Sequence, residues 1–304
     1  MPPAAQGKDS LVGPDPAKAL FPFKMRVLPM IRLRAPLAAA IIIACGALTA
    51  APAAAQTAEE RRQLDWSIDR GRLLFALDRV AWVATDDVRN RIPDLVGSGI
   101  AGYIVDSDDQ GFTAIFYGRE DERLVTVYRA RIAASGVVDP RVFERGQRPA
   151  LTPRQVRLVR AAEAARQTDV ARCTQASPNL SVVPPATDGD PVDVYITAPQ
   201  MRPGRVQFGG HHRISFDASG REIARRPFTR QCLEVPTPTA ELRQRGAMLG
   251  FNHLLDPIPN EVHVFLALGA QQPLAVMTQE PRRTWEVTGS QIRLMPNASP
   301  APPR

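Results

Sequence analysis

Eighteen of the chain's 29 prolines fall in three stretches, residues 1–55, 176–204 and 296–304. Proline lacks a backbone N–H and locks φ, so it is excluded from helix interiors and central strands. The other 211 residues hold only 11 prolines, ordinary globular usage. The chain is thus a series of folded segments separated by Pro-rich ones, and disorder throughout, collagen and coiled coil are excluded. The expected division is a leader (1–55), an N-terminal α+β region (56–172), a mainly β region (173–295) and a disordered tail (296–304). The two middle regions are read as sub-domains or as one continuous sandwich-like unit.

The leader has three parts. Arg26, Arg32 and Arg34 precede an apolar run, Leu37 to Leu48, and Ala53-Ala54-Ala55 supplies small side chains before Gln56. This is the pattern of a secretory signal peptide cleaved after Ala55, and it predicts a periplasmic or secreted protein. The run is too short to cross a bilayer of roughly 30 Å as a helix. Met25 or Met30 would begin such a leader better than Met1. A competing pattern, Ile42-Ile43-Ala44-Cys45, fits a lipobox and would anchor the chain at an acylated Cys45.

Charge then loses its apparent meaning. The formal net charge is +7, but residues 56–304 carry 32 basic and 29 acidic side chains. So small an excess supports neither a nucleic-acid partner nor a membrane surface. The expected partner is an unknown envelope component or a small ligand, with no membrane span once the leader is gone. Cys173 and Cys232 are the only cysteines after the leader. Their separation rules out a C-x-x-C redox or zinc pair. Export into an oxidising compartment predicts a disulfide between them.

The local patterns give an α+β class. Thr57 to about Arg70 reads as an amphipathic helix, and Leu73–Ala84, apolar on every side, either continues it or forms a strand. Ile100–Asp106, Phe112–Gly118 and Leu124–Ile132 read as an antiparallel meander. Thr152-Pro153-Arg154-Gln155 is a capping box that opens a helix to about Gln167. Residues 178–191 read as a linker or long loop. Val192–Thr197 is a strand, and Val206–Phe216 with Glu222–Arg226 forms a hairpin about residues 217–220. Val262–Leu268, Leu274–Thr278, Thr284–Val287 and Ile292–Met295 are read as further strands.

Most chemical motifs dissolve into structure. Gly97-Ser98-Gly99-Ile100-Ala101-Gly102 spells a dinucleotide fingerprint, but a strand follows it where a helix is required. Asp106–Gly111 begins like a calcium loop, yet Tyr117 stands where the bidentate Glu belongs. Arg221, Arg225, Arg226 and Arg230 read as a solvated hairpin edge. Trp66, Trp82 and Trp285 read as core. The histidines hold the only remaining chemistry. Strict alternation along Val206–Phe216 puts His212 on an apolar face and His211 on a polar one. Glu261 and His263 would share one face of the following strand. One of His211 or His212, with His253 and His263, would supply three zinc ligands, and Glu261 or Asp256 a general base. The plainer reading makes His212 a hydrogen-bonded core histidine and the others surface or structural residues, with no cofactor. The leading expectation is an exported, non-catalytic envelope or binding protein, and the alternative is a metal-dependent hydrolase built on that cluster.

Overall fold

The computed structural model describes residues 56–296. The expected leader with its cleavage after Ala55, the alternative lipobox reading at Cys45 and residues 297–304 of the expected tail lie outside them. The architecture is α+β. Helix α1 (Ala58–Arg91) is followed by strands β1 (Ile100–Asp108), β2 (Gly111–Glu120), β3 (Arg123–Ala133) and β4 (Gly136–Val142). Helix α2 (Pro153–Gln167) leads to β5 (Asn179–Val183), β6 (Val192–Thr197), β7 (Arg205–Gln207), β8 (His212–Phe216), β9 (Glu222–Pro227) and β10 (Glu234–Pro236). A short α3 (Ala240–Gln244), β11 (Leu249–His253), α4 (Glu261–Ala270), β12 (Leu274–Gln279), β13 (Arg282–Val287) and β14 (Ile292–Leu294) complete it.

Helix α1 resolves the ambiguous Leu73–Ala84 run. Thr57 caps the helix in a full capping box with Glu60, and the run continues it without a break. Leu64, Ser67, Gly71, Leu74, Leu77, Val80, Ala81, Ala84 and Val88 are buried at three- and four-residue steps. The run is apolar on several sides because the helix packs against α4 and the β1–β4 sheet at once. The two helices come close at Gly71, where a Cβ would lie 2.5 Å from the Glu261 carbonyl oxygen and 2.6 Å from Val264 Cβ.

The meander is antiparallel in the order β1-β2-β3-β4, one strand longer than the sequence pattern indicates. A second sheet runs β5-β6-β8-β9, so residues 178–191 are not wholly linker: Asn179–Val183 pairs with β6. Val206–Phe216 is not one strand. Gly209 and Gly210 interrupt it, because Gly209 passes so near Gln231 and Cys232 that a Cβ would fall 2.4 Å from the Gln231 oxygen. Gly210 takes φ +82°, a conformation glycine supplies without strain. The third sheet, β11-β12-β13-β14, contains one parallel pair, β11 with β12, joined through α4. Residues 262–268, expected as a strand, are therefore helix. Their valines and Phe265 favour strand locally, but Asn260 caps a helix that packs on α1.

Two apolar clusters hold these layers. The larger joins Leu74, Leu77 and Val80 of α1 to Phe116, Tyr128, Tyr195, Phe251, Val264 and Trp285. The smaller sets Leu158, Ala161, Ala162 and Ala165 of α2 against Ile104, Ile115, Val194 and Ile214. Each cluster draws on residues from both sides of position 173. Cys173 and Cys232 form the expected disulfide, with a Cα–Cα distance of 5.3 Å, inside the usual range.

Candidate functional site

A cleft of about 430 Å³ opens between the first turns of α1 and the segment that leads into α4. Helical spacing puts Glu59, Arg62, Gln63, Trp66 and Ser67 of α1 along one wall. Arg226 from β9 and residues Asp256 to Glu261 form the other. Pro257 and Pro259 bracket Ile258, whose buried side chain joins the larger core.

Asp256 organises the second wall. One carboxylate oxygen, Oδ2, accepts from Arg226 Nη2 at 2.7 Å, His253 Nε2 at 2.8 Å and Asn260 Nδ2 at 3.0 Å. Burial works against ionisation, but His253, Asn260 and Arg226 outweigh it and hold the carboxyl at about 2. Glu261, at the first position of α4, is 1% exposed. Its Oε1 accepts from the Tyr195 hydroxyl and from Arg213 Nη1, both at 3.1 Å. Its Oε2 is buried with no hydrogen-bond partner among the described residues. Burial, then the nearby Glu261 charge, pushes the Tyr195 hydroxyl well above its usual range. On the α1 wall the guanidinium groups of Arg70 and Arg213 lie 5.3 and 5.7 Å from the Trp66 ring centroid.

The structure brings together some of the sequence-expected residues. The rings of His253 and His263 meet edge to face with centroids 4.6 Å apart, and Asp256 is bonded to His253. His263 Nδ1 accepts from the Asn260 backbone N–H at 3.0 Å. His211 is engaged elsewhere: Nε2 donates to the Gln207 carbonyl at 2.8 Å, and Nδ1 accepts from the Ala198 N–H at 3.3 Å. His212 Nε2 donates to the Ala171 carbonyl at 2.9 Å. Among the described residues no three His, Cys, Asp or Glu side chains are grouped to hold a metal ion.

Two placements correct the strand-based reading. His211 is 1% exposed, as buried as a core residue, because the break at Gly209-Gly210 ends the alternation that placed it on a polar face. Glu261 and His263 do not share a strand face. On a helix, residues two apart point in nearly opposite directions, so Glu261 meets Tyr195 while His263 turns to His253. Of the three tryptophans only Trp285 is core; Trp66 and Trp82 are 44% and 53% exposed. Sequence reasoning missed Trp66 and Arg226 as cleft residues. The spacing of Glu59, Arg62 and Trp66 along α1 was the available signal for one wall. Nothing local pairs Arg226 with Asp256.

The fold and the cleft define a disulfide-bonded α+β protein with a mixed-charge cleft walled by α1 and the approach to α4. No helix among the described residues is long and apolar enough to cross a membrane. No protein-family model, curated protein or solved structure matches the chain.

Proposed function

We propose that the protein is exported and acts as a non-catalytic binding protein, holding a small polar ligand in the cleft between α1 and residues 256–261. The observation that carries this reading is the cleft's make-up. An exposed tryptophan stands opposite a charged wall in which Arg226 is held by Asp256, and Asp256 in turn by buried His253 and Asn260. Such preorganised polar groups beside an aromatic face orient a ligand at low entropic cost. The leader and the disulfide support export, since disulfides persist in oxidising compartments.

Two features favour binding over catalysis. His253, the obvious proton carrier, is 1% exposed behind Asp256 and does not line the cleft. A zinc-dependent hydrolase would need His253 and His263 joined by His211 or His212, but the two ring nitrogens of His211 already bond backbone groups. Its general base would be Glu261, held by Tyr195 and Arg213, or Asp256, held by three donors. Native mass spectrometry of protein recovered from the periplasm tests the proposal. A small-molecule adduct on the wild type, lost in Arg226→Ala and Trp66→Ala, is the expected result. An adduct unaffected by either substitution, or none at all, counts against it.

A further inference from the structure

The first turn of α4 is closed by an imidazole. Asn260 caps the helix, its Oδ1 accepting from the Val262 N–H at 3.2 Å, while the Asn260 backbone N–H donates to His263 Nδ1 at 3.0 Å. A capping box ordinarily places Glu or Gln at this reciprocal position. An imidazole nitrogen does the same work only while it carries no proton.

His263 is 2% exposed and stands at a joint. Behind it are the rings of Phe251, at 5.0 Å between centroids, and His253. In front, through Asn260 and Asp256, it is connected to the cleft wall. Protonation there would have four consequences. It would remove the acceptor of the Asn260 N–H. It would bury a cation. It would set that cation near Arg226, His253 and His211, with Asp256 alone opposing them. It would also place positive charge at the positive end of a helix. Among the described residues Asp256 is the carboxylate that acts on His263, and the elements packed on α4 add no other. β12 carries no ionisable side chain. On β13, Arg283 is paired with Glu60 and Glu286 with Arg293. On α1, Glu59 is paired with Arg62. Glu261, on α4 itself, is held by Arg213.

We propose that His263 is an acid-sensitive latch, whose protonation releases the first turn of α4 and with it the Asp256–Glu261 wall of the cleft. The latch stands on these contacts whether or not the cleft holds a ligand, so a failure to find a ligand leaves it intact.

The test follows backbone amide exchange in residues 258–266 against pH, corrected for intrinsic rates, together with the ring NMR titration of His263 in the same wild-type protein. The expected result is loss of protection in this segment at the midpoint of His263 protonation, while α2 remains protected. His263→Gln keeps a neutral acceptor at the same position and should move the loss down by about one pH unit or more. Protection that survives protonation of His263, loss shared by α2, or an unchanged midpoint in His263→Gln would each overturn the proposal. Should that variant fail to fold, the two wild-type midpoints decide alone.

Discussion

His211 and Asp256 both ionise abnormally, and their effects fall in separate pH windows. Burial is the main force lowering His211 to about 4, against the Gln207 bond and with the neighbouring His212 assisting. As pH falls, the unfolded chain takes this proton first, near the ordinary value of about 6.5. Stability is therefore fully present above that value and is lost between it and about 4, by about 3 kcal/mol for this one group. Urea unfolding at the two ends of the window measures the loss, and His211→Gln should flatten it. Asp256, held at about 2, loses its contribution only as pH falls from the ordinary carboxylate range to that value. The tryptophans part company just as clearly. Trp285 is fully buried, and Trp285→Ala should cost about 3–5 kcal/mol. Trp82, exposed with Arg79 over its ring, should cost about 1 kcal/mol or less in the same chemical-unfolding assay. Local sequence does not tell these residues apart, because Trp66 and Trp285 both stand among charged neighbours and Trp82 among apolar ones, yet only Trp285 is buried. What separates them is the partner that tertiary packing brings, Thr278 and Arg283 for Trp285.

Elements with a local signature were legible, and those made by partners were not. The capping box at Thr152 and Gln155 starts α2 as its sequence requires, with both reciprocal bonds present. Thr152→Ala should lower stability by about 1 kcal/mol. Residues 262–268 carry β-branched and aromatic side chains that fit a strand equally well, and periodicity does not discriminate in so short an apolar run. The readable clue was Asn260, an N-cap residue one position before the helix. At Gly71 the usual sign of a helix substitution reverses. Alanine in place of glycine normally favours a helix by about 1 kcal/mol. Here its methyl group would collide with the Glu261 carbonyl and Val264. Gly71→Ala should instead destabilise by about 1–3 kcal/mol and loosen α1 from α4, readable as a lower urea midpoint. A neutral or stabilising result would mean that the two helices do not approach so closely.

On the scale of the whole molecule, the two cores and one covalent link tie the halves of the chain together. The disulfide closes a sequence separation of 59 residues, from the end of the α2 region to the segment before β10. Constraint of the unfolded chain makes this link worth about 4 kcal/mol. The double variant Cys173→Ser, Cys232→Ser should lose that much in chemical unfolding. The pairing was legible because only two cysteines follow residue 55. The cleft was not legible, because its walls lie almost two hundred positions apart and meet only when α4 docks on α1. The proposed function requires a chain that is exported and oxidised. Its most direct test is the intact mass of the chain recovered from the periplasm after treatment with a thiol-alkylating reagent. The predicted result is a chain that begins at Gln56 and takes up no alkyl group. A chain found only in the cytoplasm, with its leader attached and both Cys173 and Cys232 alkylated, would contradict it.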